Sequence, residues 1–423
     1  MADVWRYRFY QMQNGQQGFT SETHLFDLPV NTATFTSKIG AVGQIAGTVQ
    51  MSDPTVQAAL LGQPSFDLLC ERTAVYVELN GDLVWGGILQ QANYVASKRQ
   101  MRIQGQDWWG YFANNRNLSW NASYAGADQL HVAADVINCA MGAPYSASGA
   151  GNFQIAGYTP TFTGVVGGNV GIVFGTSTRN ALGGSHQSGV LVTQAWQASS
   201  AKAVGQIISD LGSAANGFDW TIVVSYDATG APKKTFNLWY PRTGRTWQEQ
   251  TLYGSTVVFS VPGSSGQDYQ WPTGQDKPCN SLLVSGSAAG GNAVQVEISD
   301  PSMLDTGWPL LEDNTSFADV SDPNVLGQVG TGVLNQRKLP IRLPQIQYNA
   351  GSESDQPLGS FALGDDARVI IAPDPYFQNG YDSARGNYGE VYWRVVQQQV
   401  TVNDDGKSNM LLTFALPPPL AVF

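Results

Sequence analysis

The segment Ala74-Val-Tyr-Val-Glu-Leu-Asn-Gly-Asp-Leu-Val-Trp-Gly-Gly-Ile-Leu89 leaves little freedom in what this chain can become. Apolar residues alternate on either side of Asn80-Gly81. Asn-Gly is the strongest short signal for a two-residue hairpin, because both turn positions need positive φ. A third strand is predicted at Gln100–Gly105. Residues 1–118 therefore read as a β-domain whose register is set at Asn80 and Gly81. Composition carries the argument along the chain: 47 Gly, 12 Trp, 17 Tyr and 17 Phe accompany only 13% charged residues. Aromatics fill pleated surfaces and Gly makes tight turns, whereas a helical bundle would be richer in Glu, Lys, Leu and Ala.

The period changes near residue 120. Leu130, Ala134, Ile137 and Met141 form one stripe of a short helix. A second helix has Val204, Ile207, Ile208 and Leu211 as its apolar face, Ser199 or Ser200 as its cap and Asn216-Gly217 as its end. Phe218–Tyr226 and Lys234–Tyr240 alternate as a hairpin, closed by Pro241-Arg-Thr-Gly-Arg245. Residues 119–250 thus read as a middle α+β domain. It carries a Gly-rich insertion at 141–196 whose single charge is Arg179, either a plain surface loop or a hairpin that meets a neighbouring subunit.

Residues 251–423 read as a second β-domain that begins near Val257 and includes Asn280–Gly286. An acidic helical excursion at 297–340 interrupts it; residues 297–336 hold seven acidic side chains and no Lys or Arg. Within it, Asp322-Pro323 has the form of an N-cap followed by Pro at the first helical position, with Val325, Leu326, Val329 and Val333 as the helix face. Strand patterning returns at 341–348, 367–372, 390–402 and 409–416, with Asp404-Asp405-Gly406 as the last turn.

Two hairpins look alike. Trp85 is followed by Ile88-Leu-Gln-Gln, a turn and Met101, while Trp393 is followed by Val396-Gln-Gln-Gln, a turn and Met410. The Trp-to-Met spacings are 16 and 17 residues, which suggests a duplicated barrel-like unit.

The chemistry-bearing signals are few. A net charge of −11 argues against a general nucleic-acid binder, which needs a phosphate-neutralising surface, and is compatible with a wall that DNA slides past without sticking. Cys70, Cys139 and Cys279 are far apart and odd in number, and the histidines are His24, His131 and His186, so neither a disulfide framework nor a metal site is expected. This suits assembly in a reducing cytoplasm. No apolar leader and no membrane span is read. Phosphate-loop and nucleophile-elbow patterns are missing; Gly184-Ser185-His186 reads as a polar loop tip and Cys139 as a buried structural thiol. Glu312-Asp313 and Asp365-Asp366 are the acid pairs that glycan cleavage would need, but neighbours on a strand face opposite ways, so solvated turns are expected. Trp108-Trp109, Trp271 and Trp308 are candidates for stacking on sugars, against ordinary core or interface roles. No catalytic residue, cofactor or metal ligand is assigned.

Three segments taken in order resemble the tail hub proteins of siphophages infecting actinobacteria, the ReqiPepy-type minor tail proteins, which are similar to the trimeric baseplate hub of contractile-tailed phages. The first is Gly81–Leu89 with Met101-Arg-Ile-Gln-Gly-Gln-Asp-Trp-Trp-Gly-Tyr-Phe112 and Arg116; the second runs from Gly217-Phe-Asp-Trp to Tyr240-Pro-Arg-Thr-Gly; the third is Pro357-Leu-Gly-Ser-Phe-Ala-Leu-Gly-Asp-Asp-Ala-Arg-Val369, leading into Trp393-Arg-Val-Val. The 141–196 insertion is longer and richer in Gly than the family's middle domain requires. The resemblance implies a mainly β fold with two barrel-like tube domains, a middle α+β domain and inserted loops. It implies a structural tail-tip subunit of the virion, assembled in the host cytoplasm as a homotrimer. Its partners would be a distal tail protein or tail tube, the tape-measure protein and other minor tail or receptor-binding proteins, with DNA passing through unbound. Any hydrolase or receptor-binding extension would belong to another subunit. Trp85 and Trp393 are expected to anchor the two barrels, with Asn80-Gly81 and Asp405-Gly406 fixing register. The alternatives are a hexameric distal tail protein and a wall-binding or wall-cleaving tail protein.

Overall fold

The computed structural model describes residues 3–15, 18–60, 68–141, 171–174, 188–214, 216–271, 278–289, 292–317, 320, 322–337, 344–385 and 392–415. Seven strands come first: β1 (Trp5–Gly15), β2 (Gly18–Leu28), β3 (Asn31–Lys38), β4 (Gln44–Gln50), β5 (Thr73–Leu79), β6 (Asp82–Val95) and β7 (Gln100–Asp107). The β5–β6 turn is Asn80-Gly81, with φ of 54° and 101°, the left-handed pair that a tight hairpin requires. Asn80 also accepts the Val4 N–H at 2.9 Å, which ties the start of the chain to the turn.

The middle region holds β8 (Ala122–Asp128), β9 (Ile172–Phe174), β10 (Leu191–Trp196), β11 (Asp219–Tyr226) and β12 (Pro232–Trp239), with helices Gln129–Ala140 and Val204–Gly212. β8 pairs with β10, and β12 lies between β11 and β9. Asp128 caps the first helix by accepting the Leu130 N–H at 2.9 Å. That helix is buried nearly all round, so its apolar stripe understates how enclosed it is. Ser199 and Ser200 lie in a separate 3-10 turn and do not cap the second helix, whose N-cap is Ala203. This helix ends at Gly212, ahead of the predicted Asn216-Gly217; at Gly212 a Cβ would meet the Trp220 ring and the Phe218 carbonyl.

The last region contains β13 (Val257–Val261), β14 (Gly266–Gln270), β15 (Ser281–Ala289), β16 (Asn292–Ser299), β17 (Glu312–Ser316), β18 (Gln345–Asn349), β19 (Asp366–Ile371), β20 (Tyr381–Asp382), β21 (Trp393–Val402) and β22 (Ser408–Ala415). β15, predicted to belong to the second β-domain's sheet, instead lies between β16 and β17 in a sheet of its own. Leu282 and Val284 join Leu326 and Leu334 of helix Pro323–Arg337 in a separate small core, which explains the detachment. Asp322 accepts the Asn324 N–H at 2.8 Å and Pro323 opens the helix, as the sequence indicated.

Strands of the first and last regions hydrogen-bond into one 14-stranded sheet, ordered β14-β18-β22-β21-β3-β4-β7-β6-β5-β1-β2, with β13, β19 and β20 branching from β21. The mainly β class with an α+β middle is as the sequence led us to expect. Among the described residues, however, the order is open from β14 to β2, so neither expected barrel closes on itself within the chain. One core runs across both regions, from Phe9, Val75 and Trp85 to Phe259, Trp393 and Phe414. A second core packs Tyr76, Ile88 and Trp108 from the opposite face of the first sheet against the middle region. β5 lies between them and buries every residue, with Val75 and Val77 on one face and Ala74 and Tyr76 on the other.

Candidate assembly interface

The junction between the two β-regions is the pairing of β3 with β21. Its register sets Ala33 opposite Val402, Phe35 opposite Val400 and Lys38 opposite Gln397. Ala33, Phe35, Val400 and Val402 are all buried on one face, and the Thr34 and Thr401 hydroxyls meet at 3.3 Å on the other. Each fully buried Phe or Val contributes roughly 1.5–3 kcal/mol, so the seam is a piece of core and not a loose contact. The last hairpin turn reinforces it. Asp404 accepts the Thr32 N–H at 2.9 Å and the Thr32 hydroxyl at 3.2 Å, across 372 residues of sequence. In the same turn Gly406 has φ of 79°, and the Asp405 carboxylate accepts the Lys407 N–H at 3.1 Å.

The two hairpins that flank this junction are built alike. β6 has a one-residue irregularity between Leu89 and Gln91 against β7, and β21 has one between Val395 and Gln397 against β22. A bulge rotates the strand beyond it and lets its two halves pair with different neighbours. The first half of β6 pairs with β5, and the first half of β21 pairs with β19. Met101 lies between Tyr94 and Val49; Met410 lies between Val400 and Tyr348. Superposing the bulges therefore aligns the methionines. It also places Trp393 two residues away from the position equivalent to Trp85, on the same strand face. Trp85 donates its indole N–H to the Thr36 carbonyl at 3.0 Å, whereas Trp393 stacks on Tyr381 at 5.5 Å and lies near Trp271 at 5.8 Å. Both are buried in the shared core.

A polar clasp joins the middle region to the start of β19 and to β21. Arg245 grips Asp365 at 2.6 and 3.1 Å, Arg242 meets Asp366 at 2.6 Å, and Arg394 pairs with Asp219. A Cβ on Gly244 would fall 1.9 Å from the Gly364 carbonyl carbon, so these two turns touch backbone to backbone. Asp365 and Asp366 are thus buried in arginine pairs, a correction to the solvated turn expected for them. No adjacency rule finds such a clasp, although Arg242-Thr-Gly244 and Gly364-Asp-Asp366 each carried part of the family resemblance.

The remaining candidates are dispersed. Glu312 is exposed on β17, and Asp313 pairs with Arg337 at 2.7 Å. Trp108 and Trp109 are buried in the middle core, which removes them as sugar platforms; Trp271 is enclosed by Phe377 and Tyr381, and Trp308 is partly exposed. Cys139 is buried, and burial pushes its thiol up to about 12. Ser185 and His186, like most of the 141–196 insertion, lie outside the described residues. A groove of about 690 Å³ opens between the first sheet, the β11–β12 hairpin and the clasp. The two carboxylates lining it are engaged: Asp365 by Arg245, and Asp107 by the Gly43 and Gly110 N–H groups at 2.7 and 3.1 Å. Burial raises the Asp107 pKa to about 7. Among the described residues no group of three or more His, Cys, Asp or Glu is placed to hold a metal ion, and no helix is long and apolar enough to cross a membrane.

No protein-family model matches the chain, and no curated protein matches it. Solved structures do. The tail protein from Neisseria meningitidis MC58 is 11% identical, with 97% of this chain and 96% of that one covered at a TM-score of 0.51. The 43 kDa tail protein of prophage MuSo2 from Shewanella oneidensis is 9% identical, with 97% and 98% covered at a TM-score of 0.51. At these identities the likeness is one of fold, and it extends from end to end: the chain has the architecture of these two tail proteins.

Proposed function

We propose that the chain is a structural, non-catalytic subunit of a phage tail tip. In this reading three copies form a hub that closes the hexameric tail tube and surrounds the path of the tape-measure protein and then of DNA. The observation that carries it is the pair of like-built hairpins in one sheet. A threefold ring can seal against a sixfold one only if each subunit repeats its contact surface, and β6–β7 and β21–β22 supply that repeat. The net charge of −11 suits a channel wall from which a polyanion is repelled. Partners on this reading are the tail tube or distal tail protein above, the tape-measure protein within, and other minor tail or receptor-binding proteins below, all in the virion.

Electron microscopy of the assembled tail tip tests this directly: threefold density for this chain is expected, and sixfold density would make it a distal tail protein instead. A wall-cleaving role is tested by incubating the protein with host cell wall. Release of sugars or peptides that is lost on Glu312→Gln or Asp365→Asn would overturn the non-catalytic reading.

A further inference from the structure

Between β16 and β17 the chain displays apolar side chains that its own core does not use. Leu304, Trp308 and Leu310 are 45%, 37% and 57% exposed within one short loop, and none belongs to the small core beneath. The loop leaves β16 at Ser299 and enters β17 at Glu312, the two residues registered on either side of Ser281, so it arches over the end of β15. Asn280, which is buried, staples both feet of the arch. Its backbone carbonyl accepts the Asp300 N–H at 2.9 Å, while its side-chain amide donates to the Pro309 carbonyl and accepts the Leu311 N–H, both at 2.8 Å. Within the arch, the carbonyl of buried Met303 accepts the Trp308 N–H at 3.1 Å and the Thr306 hydroxyl at 2.8 Å, and Gly307 turns with φ of 91°. Apolar side chains scattered singly on a surface are ordinary. A set displayed on backbone that is already ordered loses little further entropy on binding, which is what a docking site requires.

The charge around the arch has one sign. Residues 297–336 contain no Lys or Arg, and Asp313 is answered only from beyond that stretch, by Arg337. Glu297, Asp305 and Glu312 are exposed within the loop or on the strands that carry it. Charge complementarity then specifies what fits. We infer that the Leu304–Leu310 arch docks a different protein, through a segment whose apolar side chains cover Leu304, Trp308 and Leu310 and whose Lys or Arg side chains meet the carboxylates beside them. Trp308 is the anchor, because a Trp that becomes buried carries much of the binding energy of an interface. A second copy of this chain is the poorer match, since its own net charge is −11. The docking surface is built from this small sheet alone; the tail-tip reading enters only the second arm of the test.

Photo-cross-linking of the purified protein is the first arm. A benzophenone side chain is installed at Leu310, and the protein is offered two probe peptides with the same Leu and Trp pattern, one carrying Lys and the other Glu. The Lys peptide should be captured about ten-fold or more over the Glu peptide, and Asp305→Lys combined with Glu312→Lys should abolish that preference. Trp308→Ala should lower capture of the Lys peptide about ten-fold or more, with the thermal unfolding midpoint unchanged. The same benzophenone at Leu191, exposed but outside the arch, should capture neither peptide to that extent. Equal capture of both peptides, a preference that survives the charge reversal, or equal capture at Leu191 would overturn the inference. In assembled particles the Leu310 cross-link should reach a Lys- or Arg-rich peptide of a different protein; a cross-link confined to copies of this chain, or none, would overturn it. Particles that lack the chain would overturn the tail-tip reading instead, and the peptide result would decide the docking surface without it.

Discussion

Lys234 is the most exacting test of the packing between the first β-region and the middle region. Its ammonium lies 2.5 Å from Glu22 on β2 and 4.1 Å above the Trp108 ring, with the two charged side chains 1% and 4% exposed. Tyr76 donates a further hydrogen bond to Glu22 at 2.8 Å. At an effective dielectric near 20 the Coulomb attraction across that gap is about 7 kcal/mol, of the same order as the several kcal/mol lost in desolvating each ion. The pair should therefore contribute little net stability while being expensive to break. Burial pushes the Lys234 ammonium downward and Glu22 opposes it, the same balance seen from the proton's side. Lys234→Met leaves Glu22 buried with only Tyr76 to answer it, and should cost roughly 3–5 kcal/mol. Glu22→Gln combined with Lys234→Met removes both charges, keeps an acceptor for Tyr76 and should return most of that loss. Urea unfolding followed by tryptophan fluorescence reads both variants, since Trp108 sits under the ammonium. A loss below about 1 kcal/mol in the single variant, or a double variant no better than the single, would refute the argument that the charges are desolvated and coupled.

The other predictions concern local features. Asp107 has a pKa raised to about 7 from 3.8, so the native state holds its proton more tightly and this group's stabilisation is lost as pH rises between those values; Asp107→Asn should gain thermal stability relative to the parent on going from pH 5 to pH 8, and a pH-independent difference would contradict the assignment. Asp404→Ala removes both bonds to Thr32 and should cost about 1 kcal/mol, with faster amide exchange at the start of β3 and none at β5. Of the three thiols only Cys70 should react with a water-soluble disulfide reagent in the native protein, because burial raises the Cys139 and Cys279 thiols and encloses both; titrating two or three equivalents without urea would refute it.

What the residues determine by themselves is local. Asn80-Gly81 adopts positive φ at both positions because that turn chemistry is complete within two residues, and Asp322-Pro323 starts its helix for a similar reason. The alternation of β22, with Met410, Leu412 and Phe414 inward, is legible because the two faces of a strand meet different surroundings. The family resemblance was readable from three short segments, yet not why they belong together. Only the folded chain brings Arg242 and Arg245 onto Asp366 and Asp365, and only the fold decides between sugar platform and core for Trp108 and Trp109, in favour of core. The sequence similarity of the hairpins placed Trp85 and Trp393 as equivalents; the bulges show that the methionines are the aligned pair. Which strand closes on which was decided over hundreds of residues by burial of one shared face, as at β3 and β21. Periodicity records that a face is apolar, and carries no record of the partner that covers it.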